Sequence, residues 1–396
     1  MITLSTWAGT EGLAGGTTEH LLPDAAGVVL GPDGSPAQYA DPFGDGTPVA
    51  YETGTWTSPA LEAGYPVHET VVSWNAVTPT GTWVEVQLQG RLADGRWTRW
   101  FVLGRWASGA DHAAGDVHRA SVTGQDDEDA AVSTDTYVAR AGREPVAFRT
   151  RVVLHRPAGS VAGPGLRQVA VLTTGPSSGP AAATSAFTLG RHVELDVPAF
   201  SQLVHSGEYP EFGGGGTVWC SPTSVTMVQY FYGHAHAVPA EDLTGIDAPA
   251  DPQIAHAALG TWDHAYGGAG NWAFSTAYAH RFGLVGFVTR LRSLAEAERF
   301  VEAGIPLVLS GSWAAEDLPE AGYSTEGHLF VLVGFTADGD AIVNDPNRTS
   351  DDLVRGVYPR ANLERVWQRS TRGLTYVVRP VDLPLPQNVP GLTPNW

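Results

Sequence analysis

The chain has no lysine: all 23 of its basic residues are arginines, and they stand against 42 acidic residues in a total of 396. The formal net charge of −19 argues against binding to nucleic acids or to anionic membranes, since both need a positively charged surface. No apolar stretch approaches the roughly 20 residues of a membrane-spanning helix. The N-terminus also lacks the basic start and apolar core of a signal peptide, so we expect a cytoplasmic protein, or a secreted one if a signal has been removed.

Cysteine is almost absent as well. Cys220 is the only one, which excludes an internal disulfide and leaves the redox compartment open. Charged residues make up 16% of the chain and hydrophobic residues 43%, a balance that can fill sizeable cores and does not indicate disorder. At this length two domains are expected. The 47 glycines and 28 prolines favour many turns and a β-rich fold.

Short strand patterns separated by turns, without helical periodicity, run through residues 1–174. In residues 82–88, for example, Val84, Val86 and Leu88 fall on one face, which is typical of a half-buried antiparallel strand. A series of such strands predicts an antiparallel β-sandwich or jelly roll for the first domain.

A segment rich in proline, glycine, serine and alanine predicts a linker at residues 175–192. The second domain, residues 193–380, combines helical patterns with long apolar strands. It predicts a helix packed on an antiparallel sheet, so the fold class is α+β with two domains. Residues 381–396 are rich in proline, and we predict an irregular tail that lies along the surface.

Two clusters in the first domain each allow two interpretations. Asp126–Asp129 is acidic and could bind Ca²⁺, but its spacing matches no calcium loop, so a solvated loop is favoured. A group of tryptophans could stack on the sugars of a glycan or cell-wall ligand, although burial in the core is favoured. The tryptophans are Trp74, Trp83, Trp97 and Trp100.

The stretch from Gly213 to Gly233 contains the strongest candidate for a chemical group. Four glycines precede Cys220, and a helix is predicted directly after it, with Ser221 as its cap and Pro222 at its first position. The unpaired N–H groups and the dipole of a helix N-terminus stabilise a thiolate, which is the nucleophilic form of cysteine. The alternative is a small buried cysteine that only packs, which is common for this residue type.

His328 stands at the start of a long apolar strand, residues 328–336. A rigid strand could hold the imidazole where it takes up the proton of a thiol. Taken alone, a histidine in this position is more often structural. Its significance therefore depends on whether a third group can orient the ring.

Asp345 and Asn344 are the two candidates for that third group. A two-residue turn at Asp338-Gly339 would place Asp345 opposite Leu332, on the same face as His328, and Asn344 on the other face. Parity therefore selects Asp345. Because four residues along a strand span roughly 13 Å, a β-bulge or a wider turn is needed to bring Asp345 back to His328.

Gln202 follows a predicted strand and is a candidate for binding a developing oxyanion together with the backbone N–H of Cys220. Trp219 and Trp272 could wall a substrate pocket or pack in the core. Gly327 precedes His328 directly, and we include it among the candidates for substrate binding.

His234 and His236 form a pair with the spacing of metal ligands. No third ligand is obvious in the sequence, so we interpret the pair as part of a surface loop and predict no metal site.

Several motifs follow one another through the second domain: Val197-Pro-Ala-Phe-Ser-Gln202, Trp219-Cys-Ser-Pro-Thr-Ser-Val-Thr-Met-Val228, Gly327-His-Leu-Phe-Val-Leu-Val-Gly-Phe335, Asp338-Gly339 and Asn344-Asp-Pro346. In this order they resemble the cysteine peptidases that cut bacteriocin leaders after a double glycine. The resemblance is closer still to stand-alone bacterial relatives of those enzymes, within the papain-like clan. It implies Cys220 as nucleophile, His328 as general base and acid, Asp345 as orienting group and Gln202 as oxyanion donor.

The chain departs from the family pattern at two points. Ser221 follows the cysteine where the family usually has glycine, and Gln202 lies 18 positions before Cys220, much further than usual. The insert contains the four glycines and could shape a substrate groove. The first half resembles a module that precedes such peptidase domains in actinobacterial proteins, which implies no activity for it.

These observations predict a papain-like cysteine peptidase that cleaves a peptide or protein substrate through a thioester acyl-enzyme, without a metal or cofactor. One alternative is an acyl transferase on the same scaffold, which passes the acyl group to an amine. Another is a binding or adhesion protein whose peptidase domain is inert.

Overall fold

The computed structural model describes residues 1–109, 112–176 and 183–396. The central part of the predicted linker, residues 177–182, therefore lies outside the described residues. By its contacts the chain divides into two units. Unit 1 contains Met1–Ser177 and Trp262–Gly267, and unit 2 contains Ser178–Thr261 and Gly268–Trp396. The short segment Trp262–Gly267 belongs to unit 1 although the continuous domains predicted from the sequence assign it to the second domain.

Unit 1 consists of short strands, one five-residue helix, α1 (Gly9–Leu13), and a 3₁₀ turn at His112–Ala114. The strands, in chain order, are β1 (Ile2–Ala8), β2 (Thr17–Glu19), β3 (Leu21–Asp24), β4 (Gly27–Leu30), β5 (Ser35–Ala40), β6 (Pro48–Thr57), β7 (Leu61–Glu62), β8 (Glu69–Val77), β9 (Trp83–Arg91), β10 (Phe101–Trp106), β11 (Ala130–Ser133), β12 (Thr136–Ala139), β13 (Ala147–Pro157) and β14 (Gly165–Thr174).

These strands form two antiparallel sheets of seven strands each. The first has the order β11-β12-β8-β14-β4-β3, with β1 also paired to β14. The second has the order β10-β9-β13-β6-β2, with β5 paired to β6 and β7 to β13. The sheets contact each other through β13, which meets β4 and β14, and through β10, which meets β11 and β12. The predicted β-sandwich is therefore present, and the jelly-roll order stays a prediction.

The four tryptophans considered for sugar stacking, Trp74, Trp83, Trp97 and Trp100, do not share one exposed face. Trp74 and Trp83 are buried. Trp97 and Trp100 are only half-buried, and the guanidinium carbon of Arg149 lies 4.4 Å from the ring centroid of Trp97. A sugar-stacking surface made of all four side chains is therefore wrong.

Arginines pair with the acidic cluster of unit 1. Arg96 donates two hydrogen bonds to the Asp129 carboxylate, at 2.7 and 2.8 Å. Arg99 donates one to Asp127 at 2.7 Å. Asp126 and Glu128 are exposed, so the cluster is a partly solvated loop, as favoured from the sequence, in which arginines pair with the carboxylates.

Unit 2 contains one antiparallel sheet with the order β16-β21-β17-β18-β19-β20, in which β15 also pairs with β18. The strands are β15 (Val193–Glu194), β16 (Leu284–Arg290), β17 (Leu307–Trp313), β18 (Thr325–Phe335), β19 (Ala341–Asn344), β20 (Arg355–Tyr358) and β21 (Leu374–Pro380). The helices are α2 (Cys220–Phe231), α3 (Pro252–Thr261), α4 (Trp272–His280), α5 (Leu294–Glu302) and α6 (Arg360–Thr371).

The helix α2 packs on β18, β17 and β21 and on the helices α3 and α4. This gives unit 2 the predicted arrangement of a central helix on an antiparallel sheet. Among the described residues, no helix combines the length and apolar character that a bilayer crossing requires.

The start of α2 differs from the prediction. The helix begins at Cys220 itself, and Trp219 in front of it makes no side-chain capping bond. Ser221 is therefore inside the helix, where its hydroxyl lies 2.8 Å from that of Ser275 and 3.1 Å from that of Tyr376. The residue that replaces the family's usual glycine thus has two buried hydroxyl partners, so the side chain is accommodated by hydrogen bonding rather than by capping.

The glycine run before α2 is a conformational requirement. All four residues of Gly213–Gly216 have positive φ, between 54° and 82°, a region that side-chain-bearing residues rarely adopt. At Gly215 a Cβ atom would lie only 2.0 Å from the carbonyl oxygen of His205. The run therefore turns the chain tightly over its own backbone before Cys220.

The register between β18 and β19 is also different from the prediction. Val331 pairs with Asn344, and Phe335 pairs with Ala341, with a bulge between Leu332 and Gly334. The turn is wider than the two-residue turn that places Asp345 opposite Leu332, so that register is wrong. The bulge that the sequence required is present, and Asp345 follows directly after the end of β19.

The C-terminal tail, residues 381–396, forms no helix or strand, as predicted. Its end is nevertheless anchored. The Asn395 side chain is fully buried and donates to the carbonyl of Arg290 at 2.7 Å and to the Glu296 carboxylate at 2.9 Å. Trp396 packs on Phe300 of α5 with ring centroids 5.1 Å apart.

Candidate active site

His328 and Asp345 are in direct contact. The Nε2 atom of His328 lies 2.8 Å from Oδ1 of Asp345, and both side chains are almost completely buried. The observed register explains this contact, because Asp345 follows Asn344, the partner of Val331, and so falls two residues from His328 along β18 rather than four. The parity argument still holds, since the register differs from the predicted one by two positions and a change of two keeps Asp345 on the same face.

Asn344, the other candidate, serves a different purpose. Its amide donates to the carbonyl oxygens of Val197 and Pro198, at 3.2 and 3.0 Å, and its oxygen accepts from Arg355. It is fully buried and holds the segment before Gln202 against β19.

Four further groups surround the Asp345 carboxylate. Tyr323 donates to both of its oxygens, at 3.0 and 2.8 Å, and Tyr358 donates to Oδ2. The backbone N–H of Asn347 donates to Oδ1 at 3.0 Å, and Arg348 lies 3.6 Å from Oδ2. A buried carboxylate needs such donors to remain ionised. Asp345 is therefore fixed in both charge and orientation.

The pKa values of His328 and Asp345 are shifted strongly and in opposite directions. Burial by itself lowers the pKa of His328, but the charge and the hydrogen bond of Asp345, with a smaller contribution from the Cys220 thiol, outweigh it and raise the pKa to about 10. Burial by itself raises the pKa of Asp345, but the His328 charge and the hydrogen bonds from His328, Tyr358 and Asn347 outweigh it and lower the pKa. At neutral pH the pair is an imidazolium and a carboxylate.

Cys220 lies next to the imidazole. Its thiol is among the groups that raise the pKa of His328. Because Nε2 of the ring contacts Asp345, Nδ1 is the nitrogen left for the sulfur. Cys220 is buried, with 9% of the residue's surface exposed. The first residue of a helix also has a backbone N–H without an intrahelical partner.

A hydrogen bond between α2 and β18 holds the sulfur and the ring together. The Ser224 hydroxyl donates to the carbonyl of Leu329 at 3.0 Å. Ser224 lies four residues after Cys220 and therefore on the same helix face, and Leu329 directly follows His328. This bond joins the two backbones within one turn of the reacting groups.

Gln202 lies close to the same site. It is 1% exposed, and its backbone N–H donates to the carbonyl of Pro346, the residue after Asp345, at 2.9 Å. Neither polar atom of its side chain has a hydrogen-bond partner, although both are buried. An unpaired buried amide costs about 1–3 kcal/mol, a cost that is recovered if the amide binds a substrate oxygen.

The three residues predicted to bind substrate lie in different environments. Trp219 is completely buried in a cluster with Ile254, Ala255 and their neighbours, so its prediction as the wall of a substrate pocket is wrong and the alternative, core packing, applies. Trp272 is partly exposed at the start of α4. Gly327 is exposed, and a Cβ built on it meets no atom within 4 Å.

The insert between Gln202 and Cys220 lines a surface pocket of about 610 Å³. Its lining includes Glu208, Glu211 and Asp247, and does not include the thiol or the imidazole. Tyr209, another lining residue, packs on Trp219, the neighbour of Cys220, with ring centroids 6.2 Å apart. An acidic pocket therefore lies one packed side chain away from the backbone of the nucleophile candidate.

Sequence reasoning missed the groups that surround the triad. Trp313 stands edge-on to the His328 ring at 5.7 Å, and Tyr323 and Tyr358 bind Asp345. Tyr323 is in a loop and Tyr358 on a four-residue strand, so no spacing rule links them to Asp345. Arg348 could have been found, because a cation three residues after a buried carboxylate is a local signal.

Comparisons with known proteins give two family matches. Residues 3–174 match the Peptidase C39 N-terminal domain, and residues 194–374 match the Peptidase C39-like family. Among solved structures, a protein described as a C39-like peptidase from Bacillus anthracis is 17% identical, with 48% of this chain and 98% of that chain covered and a TM-score of 0.30. Carbohydrate-binding modules of the β-sandwich superfamily are 7% identical, with 43% and 54% covered and a TM-score of 0.16. No curated protein matches the chain.

Structural similarity at these TM-scores is too low to support an argument, so the assignment depends on the two family matches. They fall on the two parts of the chain that the sequence motifs distinguish, and together they extend from residue 3 to residue 374 with a gap at the predicted linker. The resemblance noted from the motifs is therefore confirmed: residues 194–374 match the Peptidase C39-like family, and residues 3–174 ahead of them match the Peptidase C39 N-terminal domain.

Proposed function

We propose that the protein is a papain-like cysteine peptidase that cleaves a peptide or amide bond through a thioester acyl-enzyme. The observation that carries the proposal is the direct contact between the His328 ring and the Asp345 carboxylate, beside a thiol, Cys220, that contributes to the raised pKa of His328. A cysteine nucleophile requires a base within hydrogen-bond reach and a third group that orients the base. These three side chains meet that requirement.

The first half of the reaction forms the thioester. The imidazolium of His328 favours the thiolate of Cys220, whose sulfur attacks the carbonyl carbon of the scissile bond and forms a C–S bond while the carbonyl electrons move to oxygen. His328 then gives its proton to the leaving nitrogen as the C–N bond breaks. Asp345 holds the ring in position and stabilises its positive charge, since its carboxylate remains ionised among its donors.

The second half consumes water. Neutral His328 takes a proton from a water molecule, whose oxygen attacks the thioester carbon. The C–S bond breaks, the acyl group leaves as a carboxylic acid, and the proton on His328 again pairs with the Cys220 thiolate.

Gln202 and the backbone N–H of Cys220 are proposed to bind the oxyanion in both halves. Preorganised donors in a water-poor site stabilise developing charge more effectively than water does. The unpaired buried amide of Gln202 and the partner-free N–H at the start of α2 support this role.

Replacing Gln202 with alanine is expected to lower kcat by about 10²- to 10³-fold with little change in KM, because the lost hydrogen bond forms only as charge develops. The Gln202→Glu variant keeps the shape but presents a negative charge to the oxyanion, and it should be at least as slow. Gln253→Ala is the matched control, since that buried amide is bound to Asp251 in its own turn. Equal kcat values for wild type and Gln202→Ala would remove Gln202 from the mechanism.

The proposed function is tested by screening the full chain against a peptide library and by mass spectrometry of quenched reactions. We expect cleaved peptides and a transient acyl adduct on Cys220. The acidic pocket predicts enrichment of arginine or lysine near the cleaved bond. Addition of an amine nucleophile separates the alternatives: amide products at the expense of acids indicate a transferase, and neither cleavage nor adduct, with slow and pH-independent alkylation of Cys220, indicates an inert domain.

A further inference from the structure

Three histidines converge in unit 1, whereas the residues of the proposed reaction belong to unit 2. His112 lies on the 3₁₀ turn His112–Ala114, His118 six residues later, and His264 in the segment Trp262–Gly267. One ring nitrogen from each lies within 4.8 Å of the other two. All three side chains are partly buried. Three imidazoles in such proximity are the donor set of a transition-metal site.

The His118 ring already has the second partner that metal-binding histidines use. Its Nδ1 lies 2.9 Å from Oδ2 of Asp41, and the same oxygen accepts the His118 backbone N–H at 2.8 Å. A carboxylate on one ring nitrogen fixes the tautomer and orientation and leaves the other nitrogen, Nε2, for a metal. Asp41 also supplies negative charge next to the place where a cation would lie.

His264 is held by its own loop. The preceding residue, Asp263, is fully buried, and its Oδ1 accepts from the backbone N–H groups of Ser121, Ala265 and Tyr266 at 2.9–3.1 Å. The backbone N–H of His264 itself donates to the carbonyl of Arg119 at 3.0 Å. These hydrogen bonds fix the backbone on which the His264 ring is placed near the other two histidines. A preorganised site requires such a fixed backbone.

His112 has an unused nitrogen. Its Nδ1 atom is buried and has no hydrogen-bond partner. A buried polar nitrogen without a partner is rare in folded proteins and calls for a ligand or an ion. A metal ion at the centre of the three rings would give this atom a partner.

We propose that His112, His118 and His264 bind a divalent transition-metal ion of the zinc class, with water at the fourth position and with Asp41 orienting His118. Zinc lies about 2.0–2.1 Å from each imidazole nitrogen, which puts tetrahedral ligands roughly 3.3 Å apart. The observed separations of at most 4.8 Å exceed this spacing by about 1.5 Å or less. The site is independent of the peptidase chemistry and stabilises unit 1 by joining Trp262–Gly267 to its loops.

One ring must also turn. The His112 and His118 rings are stacked, with centroids 3.7 Å apart and 18° between their planes. A metal lies in the plane of each imidazole that binds it, so two stacked rings cannot share an ion in this orientation. His118 is fixed by Asp41, and therefore His112, whose Nδ1 has no bond to lose, is the ring that turns.

The test uses the full chain with Cys220→Ala, so that the only thiol cannot bind the probe. Co²⁺ titration followed by visible absorption and native mass spectrometry is expected to give one ion per chain with the intense bands of tetrahedral Co²⁺. Excess Zn²⁺ should displace it, as the order of metal affinities requires, whereas Mg²⁺ should not. Binding should disappear in His118→Ala and in His264→Gln.

Asp41→Asn keeps all three rings and is expected to weaken Co²⁺ binding by about 10- to 100-fold, as loss of a second partner does at such sites. This variant keeps the test decisive if a histidine variant fails to fold. The matched control is His234→Ala with His236→Ala, which removes the histidine pair of unit 2, one exposed and one partly buried, and should leave the stoichiometry at one. Absence of stoichiometric binding, binding unaffected by His118→Ala and Asp41→Asn, or loss of binding in the control would overturn the proposal.

Discussion

Replacing Cys220 with alanine is expected to lower the rate of peptide cleavage by about 10⁴- to 10⁶-fold, down to the residual catalysis that oxyanion binding alone provides. The sulfur forms the covalent bond to the substrate, and no neighbouring side chain can substitute for it. Because Cys220 is the only cysteine, iodoacetamide reports this one thiol without background. Wild type should take up one alkyl group per chain and lose activity in parallel, and the variant should take up none.

The neighbouring residue provides the matched control. Ser221→Ala removes a buried hydroxyl that bonds to Ser275 and Tyr376, so it should lower the free energy of unfolding by about 1–2 kcal/mol while leaving the thiol able to react with iodoacetamide. Cys220→Ala should have the opposite profile, with a small change in stability and no cleavage. Cleavage that persists in Cys220→Ala would show that the reaction, if any, uses another nucleophile.

The chemical groups could be predicted from sequence because their signals are local. Cys220 follows a glycine run and begins a helix, and His328 begins the buried, apolar part of β18. Asp345 required one further step, the alternation of strand faces. The predicted register was wrong by two residues, but side chains alternate between the faces of a strand, so a shift of two leaves Asp345 on the face of His328.

The surroundings of these groups could not be predicted, since they arrive from elements with weak local signals. Tyr358 ends β20, a strand of four residues, and Tyr323 comes from a loop. Nothing in their spacing relative to Asp345 indicates contact. The hydrogen bond from Ser224 to Leu329 is likewise a consequence of how α2 packs on β18, which composition does not reveal.

The same limit applies to the histidine cluster. His264 lies about 150 residues after His112 in sequence, within the range matched by the peptidase-like domain, yet its segment belongs to unit 1 by its contacts. A search for metal ligands by spacing finds His234 and His236, which are close in sequence, and misses three histidines that the fold brings together. When a structural unit contains segments that are distant in sequence, spacing along the chain does not reveal which residues are in contact.

Replacing His328 with asparagine is expected to slow peptide cleavage by about 10⁴-fold or more, because nucleophile, base and orienting group act as a unit. The stability effect should depend on pH. In the folded protein the pKa of His328 is raised to about 10, so pairing with Asp345 stabilises the fold fully below the ordinary histidine pKa of about 6.5, and this contribution is lost as the pH rises through about 10. The excess stability of wild type over His328→Asn should therefore shrink between pH 6.5 and 10.

Urea denaturation at pH 6 and near pH 10 measures this difference, which we expect to be about 3 kcal/mol at the lower pH, the cost of leaving a buried partner without its charge. Asp345 keeps its donors Tyr323, Tyr358 and Asn347 in the variant, so the effect should not exceed that figure greatly. Alkylation of Cys220 distinguishes a chemical role from a structural one. Iodoacetamide should alkylate Cys220 faster in wild type than in the variant, because the variant lacks the neighbouring imidazole that can take up the thiol proton. Identical alkylation profiles in the two proteins would mean that the imidazole does not govern the sulfur, and the proposed mechanism would lose its base even if the fold depended on His328.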